Sequence, residues 1–175
     1  TTNWNNSVSV PRFDPALGTL QSIQFELSGT ITGSARVESL DNAAANVSLA
    51  FQGQLTLTRP DLTQLVVVLP AANFNNTFTA FDGTIDFGGS SGATYPAITA
   101  TQQNSATSPP PASDLVLFTG PIGNPGNIVL PVTAAGTSVA TGAGNIISQF
   151  QQQAEATVRV CYNYVPNVPP TFTCP

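Results

Sequence analysis

Residues 46–58 read NVSLAFQGQLTLT, and their side chains alternate in character almost without interruption. Val47, Leu49, Phe51, Leu55 and Leu57 fall on one face. Asn46, Ser48, Gln52, Gln54, Thr56 and Thr58 fall on the other. A period of two is that of a β-strand with one side on a core and the other in water. The same pattern recurs outward in both directions. Ile23, Phe25 and Leu27 alternate with Ser22, Gln24 and Glu26. Toward the end, Ala154, Ala156, Val158, Val160, Tyr162 and Tyr164 alternate with Glu155, Thr157, Arg159 and Asn163.

Two stretches are apolar on both faces, residues 65–69 (LVVVL) and 115–118 (LVLF), and read as central strands covered on both sides. Further strands are expected at residues 30–40, 77–87 and 127–133, the last at an edge or bulge because of Pro131. Turn signals at Ser28-Gly29, Asp41-Asn42, Arg59-Pro60-Asp61, Asp82-Gly83, Gly88-Gly89 and Asn124-Pro125-Gly126 separate them. Residues 145–153 (NIISQFQQQ) are the one candidate helix. Residues 99–113 (TATQQNSATSPPPAS) are polar and carry three consecutive prolines, which predicts an exposed loop inside the domain. Eight to ten short strands at this spacing predict an all-β, antiparallel, jelly-roll-like β-sandwich in a single domain over residues 13–175, preceded by a strand and tether at residues 1–12.

The 175 residues include 41% hydrophobic side chains, enough for a sizeable core, but only 7% charged ones. About a quarter is usual. There are four arginines (Arg12, Arg36, Arg59, Arg159) and no Lys, His or Met, and the net charge is −5. Nucleic-acid binding needs clustered cations, as does an anionic membrane surface, so both are disfavoured. No apolar run approaches the roughly 20 residues of a membrane span. Thr1 reads as a processed terminus or one set by cloning, since neither an initiating Met nor a signal-like segment is present.

Cys161 and Cys174 are the two cysteines, with twelve residues between them. With no His and no further Cys to complete a metal site, they read as a disulfide worth about 3 kcal/mol in the chain-entropy model, made in an oxidising compartment. The alternative is two free thiols.

Catalytic equipment is sparse. Without His or Lys, the Ser–His and Ser–Lys routes to an activated nucleophile are closed. Asp82 and Asp86 in DGTID would be the carboxylate pair of a glycosidase, or touch calcium. Turn geometry explains them more simply. The chain therefore reads as a non-enzyme without cofactor or metal.

The first ten residues, TTNWNNSVSV, place Trp4, Val8 and Val10 with Asn6 on one face and Asn3, Asn5, Ser7 and Ser9 on the other. Pro11 ends this strand and residues 12–18 (RFDPALG) form a tether. Two homes suit such a strand. It folds back as the first strand of its own sandwich, or it completes the sheet of the next subunit, with pockets for Trp4, Val8 and Val10 setting register. Head-to-tail exchange does not close and builds a filament. Low charge and absent lysines remove self-repulsion and a common means of blunting sheet edges. Asn5, Asn46 and Asn75 head Asn-x-Ser/Thr sequons and are candidate glycosylation sites, although a bacterial source would make such glycans uncommon.

The opening NW…SVPRFDPALGTL, the strand SIQFELSG, the late DLVLFTG and the closing ATVRVCYNY together resemble the choice-of-anchor E domains. These are exported bacterial surface domains, often with PEP-CTERM-type sorting tails. The resemblance spans residues 4–164 in scattered motifs, of which FDPALGTL is the most specific. It implies export and a surface location and carries over no catalytic residue. After Tyr164 the chain departs from the pattern: VPNVPPTFTCP holds neither a sorting motif nor an apolar anchor. The tail is cleaved or omitted, or the protein is held at the surface otherwise, as polymerisation through the N-terminal strand would do. The leading expectation is thus a structural subunit of an extracellular, pilus-like filament whose partner is itself. The alternative is a monomeric surface domain for adhesion or glycan binding, with Trp4, Tyr95, Tyr162 and Tyr164 as candidate contacts.

Overall fold

The computed structural model describes residues 2–142 and 144–167. Nine strands and one short helix follow one another. They are β1 (Trp4–Pro11), β2 (Gly18–Ser39), β3 (Ala45–Thr58), β4 (Gln64–Val68), β5 (Ala71–Phe78), β6 (Gly92–Ser108), α1 (Ser113–Leu117), β7 (Asn127–Gly136), β8 (Val139–Gly142) and β9 (Ile146–Pro166). They build two antiparallel sheets packed face to face. One runs β1-β7-β3-β4, with β5 and β8 on the first half of β3; the other runs β6-β2-β9. This is the all-β sandwich that the alternation predicts.

The 46–58 stretch is β3, and Val47, Leu49, Phe51, Leu55 and Leu57 all point inward and are buried. Across the gap lie Ile23, Phe25, Leu27 and Ile31 of β2, also fully buried. Each such side chain stabilises the fold by about 1.5–3 kcal/mol through removal of apolar surface from water. β2 runs through Ser28-Gly29 without a turn. Gly29 instead lets the sheets approach: a Cβ there would lie 2.6 Å from Val68 and 2.8 Å from Leu55. What looked like chain reversal is close packing between layers.

Both neighbours of β3 break at one level. β4 and β5 are one row interrupted at Leu69-Pro70, and β7 and β8 one row interrupted at Thr137-Ser138. Gly53 sits at that crease, its N–H bonded to Pro70 O at 3.0 Å, while Thr137 N–H reaches Gln52 O at 2.9 Å. The main core lies on one side. A smaller one of Val37, Val47, Leu49 and Phe78 lies on the other.

Several expectations are corrected. Residues 65–68 lie in the edge strand β4, not a central one: Val66 and Val68 are buried, whereas Leu69, just past its end, is 57% exposed. Residues 115–118 belong to α1 and its C-cap, and Val116 lies in solvent. These four apolar residues close one helical turn instead, with Phe118 N–H bonded to Asp114 O at 2.9 Å. The expected helix at 145–153 is the start of β9, where Gln151, Gln153 and Glu155 point outward beside inward Phe150 and Ala154. The predicted loop at 99–113 is mostly β6. Thr99, Thr101, Ser105 and Thr107 face water, Ser108 is buried, and the inward Ala100 and Ala106 are too small to register as an apolar stripe. The strand expected at 77–87 is β5, which ends at Phe78. Pro131 lies in β7 between β1 and β3, but the β3 ladder stops at Val132, so no paired donor is missing.

The 79–91 connection is pinned by a residue that sequence reasoning passed over. Glu38 is fully buried and accepts hydrogen bonds from Phe87 N–H at 2.7 Å and Ser91 Oγ–H at 2.6 Å. Glu38→Ala strands both donors, so a loss of about 2–3 kcal/mol is expected. Urea unfolding would read it, and a change below about 0.5 kcal/mol would mean that water satisfies the pair instead.

Candidate subunit interface at the seat of the N-terminal strand

β1 is an edge strand. It pairs with β7 from Trp4 opposite Ala134 to Pro11 opposite Asn127. Its inward residues Trp4, Val8 and Val10 are half-buried against the main core, as the alternation requires. Within the chain, then, β1 completes its own sandwich.

The seat has a second wall. Trp4 Nε1 donates to Ala154 O at 3.0 Å, and Thr2 Oγ1 donates to Gln152 O at 2.7 Å, both on β9. At the other end of the strand Tyr162 Oη donates to Pro11 O at 2.8 Å. Burial pushes the Tyr162 hydroxyl up to about 12, with nearby Arg12 pulling weakly the other way, so it stays a donor at any ordinary pH. β1 thus lies in a groove between the sheets, laddered to β7 and stitched to β9. Between the stitches, Trp4, Asn6, Ser7, Val8, Val132, Ala156 and Val158 enclose a gap of about 110 Å³.

Beyond Pro11 the chain is anchored by Phe13. It is buried, its N–H bonds Phe118 O at 2.8 Å, and its carbonyl accepts Gly120 N–H at 3.0 Å. Its ring packs on Tyr162 and Tyr164 at centroid distances of 5.8 and 5.1 Å. Asp14 fixes the tether further, its Oδ1 accepting Ala16 N–H at 2.9 Å and Gly123 N–H at 3.0 Å. These bonds hold its carboxyl below the usual carboxylate range. Any departure of β1 therefore pivots at Pro11-Arg12. No periodicity marks Phe13, which lies two residues after Pro11 and outside any strand pattern.

The other candidates are placed as follows. Asn5 is exposed on β1. Asn46 and Asn75 are exposed on the outer face of β3 and β5, where each sequon bonds the other: Thr77 Oγ1–H to Asn46 Oδ1 and Ser48 Oγ–H to Asn75 Oδ1, both 2.8 Å. Cys161 is half-buried on β9, on the face opposite the core, and Cys174 lies outside the described residues. Asp82 accepts Thr84 N–H and Asp86 accepts Gly88 N–H, each two residues on, as Asx turns do. The aromatics nominated for a glycan patch occupy three separate places. Trp4 faces β9, Tyr95 stacks on Phe74 at 4.1 Å, and Tyr162 and Tyr164 pack on Phe13. No helix among the described residues is long and apolar enough to cross a membrane.

No family model matches the chain, and neither a curated protein nor a solved structure matches it.

Proposed function

We propose that this chain is a structural subunit of an extracellular surface filament, joined head to tail through β1. One observation carries the reading. β1 is an edge strand of one sheet, seated in a groove walled by both sheets and followed by an anchored segment, and its contacts are with main chain or inward pockets. A second copy offers the same ladder, the same Ala154 and Gln152 carbonyls and the same seat, so exchange replaces every contact with its equal. The difference between cis and trans then lies in the tether and in concentration. An exchange of strand contacts needs no cofactor and no catalytic group. Low charge favours close assembly, and the resemblance to exported surface domains supports the location. A Cys161–Cys174 bridge belongs to the same reading, and the mass of the unreduced protein reports it.

Asn5 and Thr133 oppose each other across β1 and β7. Facing residues at this spacing accept a disulfide. In a chain carrying Asn5→Cys and Thr133→Cys, with Cys161→Ser and Cys174→Ser, oxidation should yield a covalent ladder of dimers, trimers and longer species on a non-reducing gel. Electron microscopy should show filaments that vanish when residues 1–10 are removed. Cross-linked monomers alone would show that β1 stays in its own sandwich, and the filament reading would fall.

A further inference from the structure

The sandwich has two seams where a strand edge of one sheet meets an edge of the other, β1 with β9 and the β4/β5 row with β6. An open edge is a template for another chain, and lysines are a common guard against it. This chain has no lysine. Its edges carry amide, hydroxyl and indole side chains instead. At the first seam Asn6 Oδ1 accepts Ser7 N–H on the free side of β1 at 2.8 Å, and Thr2 and Trp4 bond β9 carbonyls. At the second, Asn104 serves both edges. Its Oδ1 accepts Ser105 N–H of β6 at 2.9 Å, and its Nδ2 donates to Val67 O of β4 at 3.1 Å. Gln102 Oε1 accepts Leu69 N–H, and Tyr95 Oη donates to Asn76 Oδ1 at 2.7 Å.

The seams differ in who owns the guards. Thr2, Trp4 and Asn6 sit on or beside β1, so they leave if it leaves, and β7 and β9 are bared together. Asn104, Gln102 and Tyr95 sit on β6, which pairs with β2 from Ile23 to Glu38 and cannot depart without unfolding the domain. We infer that Asn104, with Gln102, seals the β4–β6 seam against strand addition by a second copy of this chain. The seal confines pairing between copies to the β1 seat, and that consequence rests on the filament reading; the seal itself does not.

The test compares Asn104→Ala/Gln102→Ala with Thr30→Ala, which removes a 2.9 Å bond from β2 to Thr101 of β6 on the open face of their sheet. Amide exchange at Leu69 and Ser105 should rise about tenfold or more in the seam variant and stay at wild-type rate in the control. Sedimentation should show a size distribution shifted above that of the wild type, because copies can then add through a second edge. Wild-type exchange at both amides, or an unchanged size distribution, overturns the inference. If the double variant does not fold, Asn104→Ala alone gives both readings at Ser105. An Asn5→Cys/Thr133→Cys chain that gives cross-linked monomers alone removes the filament reading and leaves this measurement standing.

Discussion

Phe118→Ala is expected to destabilise the protein by about 3–5 kcal/mol, the range for deleting a buried aromatic ring. Phe118 is fully buried, and its ring meets Phe25 at a centroid distance of 5.1 Å and a 59° tilt. The cavity cannot readily collapse, because β2 holds Phe25 by ladders on both sides while α1 holds the Phe118 backbone. The same carbonyl receives Phe13 N–H. Loosening Phe118 therefore also loosens the anchor on which the β1 tether turns. Urea unfolding would show a midpoint lower by about 1–3 M at an ordinary slope. A loss below about 1 kcal/mol would mean that α1 repacks freely against the sheet.

The second large effect concerns Arg59 and Asp114. Asp114 is 1% exposed and takes a two-pronged bond, Nε to Oδ1 at 2.7 Å and Nη2 to Oδ2 at 2.8 Å. Arg59 Nη1 also donates to Thr63 Oγ1 and Gln64 O, so the ion pair ties α1 to the β3–β4 turn. Removing one partner of a buried pair costs about 3–5 kcal/mol, since the other charge stays behind. Asp114→Ala should fall near the lower end, because Arg59 keeps two acceptors. Burial alone would raise the Asp114 carboxyl; hydrogen bonds from Arg59 and Ser108 and the Arg59 charge outweigh it and leave the carboxyl below its ordinary value of 3.8. A depressed carboxylate contributes stability that is complete above its unfolded value and is lost as pH falls through its folded one. The wild type should therefore lose stability below about pH 4 more steeply than Asp114→Ala. Parallel pH profiles of the two would contradict this.

Neither pair was legible in the sequence. Arg59 sits in an Arg-Pro-Asp turn and Asp114 between a run read as loop and one read as strand, 55 residues apart, and nothing local links them. Alternation, by contrast, carried the sandwich: β3 begins one residue from its predicted start, and the inward residues of β2 from Ile23 to Leu27 and of β9 from Ala154 to Tyr162 follow the alternation. It failed where the inner face is made of small or polar residues, as in β6, because periodicity needs contrast. It also failed at residues 115–118, where four apolar residues are too few to distinguish a helical turn from a strand. At the candidate site, Trp4, Val8 and Val10 were visible as a stripe. Thr2 was not, since it reaches β9 through a single hydroxyl.

The direction of β1 has a mechanical consequence. Trp4 lies level with Ala154 and Pro11 with Tyr162, so β1 and β9 run the same way, and β9 continues to Pro166. The described chain enters at one end of the sandwich and leaves about 40 Å farther along, at roughly 3.3 Å per residue. Tension applied through those two points pulls β1 along β7 and β9 along β2. The load is then shear, borne by all eight rungs of the β1 ladder at once, whereas a strand leaving sideways would be peeled rung by rung.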